Sequence, residues 1–213
     1  MIQKKICLLG TSGVGKTSLI RRFVDDTFSD NYLTSVGVAI KKKSVQVGDT
    51  EVSLTIWDLA GDDKFQPLEK NYLRGTSGYL MVADGTRSAT LDHVLDLRTR
   101  HADALANVPS VLLLNKADLD SQWEIDEARM SALAAAGFTI IKTSAKEGTG
   151  VQEAFLQLAQ GAKLLLHVAF PIAPPPYHFF TSAGSIIRVT AVTNSVHLEC
   201  SFRSCLRPTG VSL

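Results

Sequence analysis

Residues 10 to 17 read GTSGVGKT, set between an apolar run and a helical pattern. Two glycines with four residues between them, then a lysine and a hydroxyl residue, form the phosphate-binding loop pattern. No other feature constrains the fold as tightly. Such a loop works only where a strand delivers the chain and a helix receives it. Its consecutive N–H groups must wrap a phosphate while the helix adds its positive end. KICLLG upstream reads as a buried strand and SLIRRFVDD downstream as a helix, so the context is the required one. The pattern assigns the phosphate cradle to Gly10, Ser12, Gly13, Val14 and Gly15. Lys16 reaches the terminal phosphates, the Thr17 hydroxyl ligates Mg²⁺, and Ser18, at the start of the helix, completes the nucleotide-binding set of this segment. This implies a nucleoside triphosphate and leaves the base open.

The same alternation continues along the chain. Gly78–Asp84, Ser110–Asp118 and Phe138–Ala145 read as buried strands, and Ile40–Ala60 as two extended stretches around a Gly48-Asp49-Thr50 turn. Between them, Ala89–Leu105, Glu124–Ala136 and Val151–Leu166 carry apolar residues at helical spacing. Continuous apolar strands alternating with helices imply an α/β fold, a mainly parallel sheet with helices on both faces and one antiparallel edge. From about Lys163 the text changes to a proline-rich stretch, then a loose alternation around Asn194-Ser195. The expected organisation is a main domain over 1–162 and a tail over 163–213, either poorly ordered or a small accessory hairpin.

Composition excludes several classes. A formal charge of +1 offers no footprint for nucleic acid. No apolar run approaches the roughly 20 residues that span a bilayer. Three cysteines (Cys7, Cys200, Cys205) do not make a disulfide framework, so a reduced, cytoplasmic setting is expected.

Three further segments carry chemistry. Asp58 follows the apolar LTIW, the position from which a carboxylate meets the metal of a phosphate loop, usually through water. Asp62 and Asp63, just beyond, read equally as solvated turn residues. Asn115-Lys116-Ala117-Asp118 and Thr143-Ser144-Ala145-Lys146 each follow a strand. A carboxylate at Asp118 can accept both N1–H and N2–H of guanine, a pair adenine lacks. The Ala145 N–H can donate to guanine O6, and the stems of Lys116 and Lys146 can cover the base. Together these segments select guanine.

GTSGVGKTSLIRRF, SVGV, WDLAG, YLRGTSGYLMVAD, NKAD and TSAK occur in an order and spacing that resembles the small GTPases of the Ras superfamily, most closely the Rab branch. The resemblance covers roughly residues 3 to 162. It implies the P-loop NTPase fold with six strands, and a GTP/GDP switch using Mg²⁺ in which two loops order around the γ-phosphate. It also implies that Phe28 packs on the guanine edge and that Ser35 is the first-switch metal ligand beside Thr17 and Asp58. By the same likeness the Gly61 N–H meets the γ-phosphate, Ser144 belongs to the nucleotide-binding set, and Lys16, Gly61 and Asp62 form the hydrolytic group. Effectors at the two switches, an exchange factor and a GTPase-activating protein are the implied partners, with peripheral membrane association through them.

The chain departs from that pattern at several places. Ser35 stands where threonine is usual, which keeps the hydroxyl. Asp62 stands where a glutamine orients the attacking water, so slow intrinsic hydrolysis is expected. A carboxylate there can accept from water but cannot donate to phosphate. Trp57 and Tyr72 match two members of the Rab aromatic cluster, whereas the third position is Ile40, expected in ordinary packing. Lys41-Lys42-Lys43 reads as the wet face of an edge strand or a site for an acidic partner. The chain ends RPTGVSL and Cys205 is too far back for prenylation, so stable lipid anchoring is not supported. A P-loop kinase or ATPase leaves NKAD and TSAK unexplained. A module held in the GTP form with negligible turnover stays open because of Asp62.

Overall fold

The computed structural model describes residues 2–29, 37–62, 67–168, 177–180, 186–192 and 195–200. Its first strand, β1 (Ile2–Leu9), shows why the apolar runs are continuous. Ile6 and Leu8 enter one hydrophobic cluster and Cys7 and Leu9 the other, all at most 1% exposed. A strand buried on both faces has no polar side to show.

The hairpin expected around Gly48 is β2 (Val38–Val47) and β3 (Thr50–Leu59), paired antiparallel with Val47 opposite Thr50. β4 (Gly78–Asp84), β5 (Ser110–Asn115) and β6 (Ile140–Thr143) complete a six-stranded sheet ordered β2-β3-β1-β4-β5-β6. All neighbours except β2 and β3 run parallel. The sheet class is the one expected, with β2 as its antiparallel edge.

One cluster covers the face under α1 (Lys16–Asp25) and α5 (Val151–Val168), where Phe23 and Phe155 stack with centroids 3.9 Å apart. The other face packs Leu91, Val94 and Leu97 of α2 (Ser88–Arg100), Leu105 of α3 (Ala102–Leu105) and Met130 of α4 (Glu127–Ala135). The single helix expected over Ala89–Leu105 is therefore two. At His101 the backbone leaves helical geometry (φ −109°, ψ 24°), which ends α2. The helix expected from Glu124 starts at Glu127, because Asp126 accepts the Arg129 N–H at 2.7 Å and caps it.

Edge strand β2 corrects one expectation. Ile40 is 52% exposed, not packed, since it pairs with Trp57 at the sheet margin where no described helix covers it. Trp57 itself is shielded by Lys5, whose ammonium lies 3.9 Å from the ring centroid and donates to the Tyr72 and Arg74 carbonyls. Of the three lysines, Lys41 pairs with Asp25 and Lys43 donates to the Phe23 carbonyl, which leaves Lys42 as the exposed member without such a contact to α1.

Two compact units divide the chain, Met1–Leu165 and Leu166–Leu213. The second holds a three-stranded antiparallel sheet of β7 (Tyr177–Phe180), β8 (Ile186–Val192) and β9 (Ser195–Cys200). Val192 pairs with Ser195, the hairpin that the alternation around Asn194 suggests. Asn194, the proline-rich stretch and Cys205 lie outside the described residues. Among the described residues no helix is long and apolar enough to cross a membrane. Ala162 is fully buried and Lys163 donates to the Val47 carbonyl at 3.0 Å, so α5 packs within the first unit as far as Lys163, where the tail is expected to begin. A chain ended after Val168 is expected to fold and to bind guanine nucleotide as the full chain does. Insolubility, or a folded product without nucleotide binding, overturns that expectation.

Candidate nucleotide site

Parallel register brings the carboxyl ends of the strands to one edge. Leu8 pairs with Asp58, Asp84 with Asn115, and Asn115 with Thr143. Ligands of open α/β sheets bind at this edge, and here it holds two cavities, a candidate phosphate end and a candidate base end, that share Gly13, Gly15 and Ser18 in their walls.

At the phosphate end the cleft is lined by Ser12, Gly13, Gly15, Lys16, Thr17, Ser18, Leu59 and Gly61. Gly15 has a φ of 99°, and a Cβ there would come 2.3 Å from Asn115 Nδ2, so only glycine lets the loop turn into α1. Lys16 is 6% exposed and donates from Nζ to the Gly10 and Thr11 carbonyls, each at 2.9 Å. These bonds brace the loop. Val14 is fully buried, and its carbonyl accepts Asn115 Nδ2 at 2.8 Å.

Thr17 Oγ1 donates to Asp58 Oδ2 at 2.6 Å, and Asp58 is 4% exposed. A hydroxyl and a carboxylate set side by side at the mouth of a phosphate loop are hard oxygen donors, which fits Mg²⁺. Ser35 and Asp63 lie outside the described residues.

The base end, a cavity of about 280 Å³, is lined by Phe28, Ser29, Asn115, Lys116, Asp118, Leu119, Ala145 and Lys146 as well as by loop glycines. β5 ends at Asn115, and Lys116 takes a left-handed conformation (φ 70°) that turns Asp118 into the cleft wall. Ser144 Oγ donates to Asp118 Oδ1 at 2.6 Å and so orients the carboxylate. The Ala145 N–H, expected at guanine O6, donates to Asn115 Oδ1 at 3.3 Å. Asn115 therefore joins the phosphate loop to both base segments.

Several positioning residues carry no motif of their own. Arg22 of α1 donates to the carbonyls of Ala145 (2.9 Å) and Lys146 (2.6 Å), which pins the base loop. Asp84, fully buried, holds the Lys116 ammonium at 2.7 Å and also accepts from Thr86 and Arg87. Burial works to raise the Asp84 carboxyl. The hydrogen bonds from Lys116, Thr86 and Arg87 outweigh it and hold the group below the usual carboxylate range. The sequence offered one signal for this residue, its place at a strand end like Asp58.

Gly61 packs so tightly on the loop that a Cβ would fall 2.3 Å from the Ser12 nitrogen. The next N–H, of Asp62, donates to the Gly10 carbonyl at 3.2 Å. The Asp62 side chain leaves the cleft. Its carboxylate is held by the Leu68 N–H at 2.6 Å and by His93 Nε2 and Arg100 Nη2, both at 2.7 Å. Asp62 is 3% exposed. Burial works to raise its carboxyl, but the bonds from Arg100, Leu68 and His93 and the Arg100 charge outweigh that and hold it below the usual range.

Comparison with known proteins agrees with this geometry. The profile of the Ras family matches residues 5–164. The chain is 35% identical over 162 residues to Ras-related protein Rab-1 of Theileria annulata, covering 75% of this chain and 74% of that one. It is 39% identical over 159 residues to GTP-binding protein yptV2 of Volvox carteri, 73% of each. Ras-related protein RABE1e of Arabidopsis thaliana aligns over 201 residues at 32% identity, 93% of this chain and 92% of the relative. With this sheet and this site, the chain belongs to the Ras family as a small GTPase of the Rab type.

Proposed function

We propose that the protein cycles between GTP and GDP forms with Mg²⁺, hydrolyses GTP slowly on its own, and recruits effectors in trafficking when GTP is bound. The observation that carries the reading is Asp118, oriented by Ser144 in a cavity that shares Gly13, Gly15 and Ser18 with the one lined by Thr17, the partner of Asp58. Asp118 accepts from guanine, Lys116 and Phe28 flank the base, and the loop N–H groups with Lys16 neutralise phosphate charge. Mg²⁺, when bound, offsets charge on the β- and γ-phosphates. The relatives named as Rab proteins support the trafficking role.

Slow hydrolysis follows from Asp62. Catalysis of phosphoryl transfer is mostly positioning and charge stabilisation. A side chain ionised and engaged on α2 supplies neither to the attacking water. Asp62→Gln is expected to raise single-turnover GTP hydrolysis about tenfold, since the amide can both accept from water and donate to phosphate. Guanine affinity should stay near the original, and Asp62→Ala should move the rate by no more than about twofold. A brisk wild-type rate that Asp62→Ala abolishes would make Asp62 a working hydrolytic residue and overturn the reading.

The engaged Asp62 also favours a second reading, a module that stays in the GTP form with negligible turnover. The nucleotide carried by natively purified protein separates the two. GDP, or a mixture, supports the cycle, whereas GTP alone with no release of phosphate supports the module.

A further inference from the structure

We infer that Arg100 and His93 on α2 are positioning residues of the second switch: they clamp the residue 62 side chain to the helix and keep it out of the phosphate cleft. The inference rests on the GTPase reading above and adds the element that controls its hydrolytic position.

The geometry is specific. His93 and Arg100 are two helical turns apart and so lie on one face of α2. Both reach the same oxygen, Asp62 Oδ2, while Oδ1 takes the Leu68 N–H. One carboxylate thus ties together the start of the switch, the chain six residues on, and the helix. Arg100 is itself aimed by Asp96, whose carboxylate accepts Nε at 2.7 Å. The carboxylate is buried while the guanidinium is 43% exposed, so the clamp shuts the acid away from water and leaves the base at the rim.

The backbone of Asp62 makes the opposite commitment. Its N–H sits on the Gly10 carbonyl, and Gly61 lies against Ser12. The main chain therefore docks on the phosphate loop while the side chain docks on α2. A side chain at 62 that is to orient water must first leave Arg100 and His93. Charge-assisted bonds to a buried carboxylate are the strong kind, so the free population is small.

A glutamine at position 62 would offer its carbonyl oxygen to the same two donors. Part of its population would stay on α2, and the hydrolytic gain of Asp62→Gln would fall short of its full value by that fraction. Removing the donors would release it. The clamp therefore acts on whichever residue stands at 62, which a role in folding alone would not do.

Two readouts test this on the full chain. In hydrogen exchange of the purified protein, Arg100→Ala and Asp62→Ala are each expected to speed exchange of the Leu68 amide about tenfold. The double variant should add little to either, because both dismantle one network centred on the Asp62 carboxylate. Arg100→Lys, which keeps a cation within reach, should restore part of the protection. Arg100→Gln serves as a second variant if the alanine protein does not fold. In single-turnover hydrolysis, Asp62→Gln with His93→Ala and Arg100→Ala is expected to run about fivefold faster than Asp62→Gln alone. Unchanged Leu68 exchange, additive effects in the double variant, or equal rates for the two glutamine proteins would overturn the clamp. Guanine nucleotide titration of each protein comes first. A wild type that binds no GTP defeats the proposed function, and Leu68 exchange still decides the clamp.

Discussion

Asp118→Asn is expected to lower affinity for GTP and GDP by about a hundredfold or more, because a site built to pair with donors rejects a mismatch strongly. The carboxylate accepts from Ser144 Oγ at 2.6 Å and has capacity left for guanine N1–H and N2–H. Asparagine replaces one acceptor with a donor. If the amide NH₂ turns to Ser144, a single acceptor remains for the base. If it turns to the cleft, it faces guanine's own donors. The charge is lost in either case, and charged hydrogen bonds are about twice as strong as neutral ones. Xanthine presents an oxygen where guanine presents N2–H, so xanthosine nucleotides should gain on the variant. Parallel titrations with guanosine and xanthosine triphosphates measure both changes. Unchanged GTP affinity would sink the assignment of Asp118.

The second large effect is expected in the phosphate loop. Lys16→Ala should weaken GTP and GDP alike, by roughly a hundredfold, as a buried charged donor is withdrawn from anionic phosphates. The loss has two parts. The phosphates lose their cation, and the Gly10 and Thr11 carbonyls lose the Nζ that now braces them at 2.9 Å. Thr17→Asn should instead separate the nucleotides. It breaks the 2.6 Å bond to Asp58 and removes the hydroxyl proposed to ligate Mg²⁺, so GTP should suffer more than GDP, and the gap should close when Mg²⁺ is withheld. Titrations with and without Mg²⁺ give the four affinities needed. Native-like binding by both variants would refute the phosphate-loop reading.

Much of the site was legible in the sequence because its information is local. GTSGVGKT, NKAD and TSAK are each a complete motif within a few consecutive residues at a strand end, and the parallel sheet places every such end on one edge. Apolar runs identified the strands for the same reason, since a strand buried on both faces needs every residue apolar. The boundaries were less legible. α2 ends at Arg100 because the His101 backbone turns out of the helix, and periodicity carries no mark of that turn.

What the sequence by itself determined is the fold class and the family, and the roles proposed for the phosphate loop, Asp118 and Asp58 rest on the same short stretches. What only the tertiary structure decided is which distant side chain meets which. Arg22 reaches Ala145 across 123 residues, Asp84 reaches Lys116, and Asp62 finds His93 and Arg100 at separations of 31 and 38. At position 62 the sequence could place a carboxylate where a glutamine is usual, and could not say where it points. Its direction follows from burial. A carboxylate beside the phosphate loop lowers its free energy by turning to the nearest donors, and the fold of α2 against the sheet sets those donors outside the cleft.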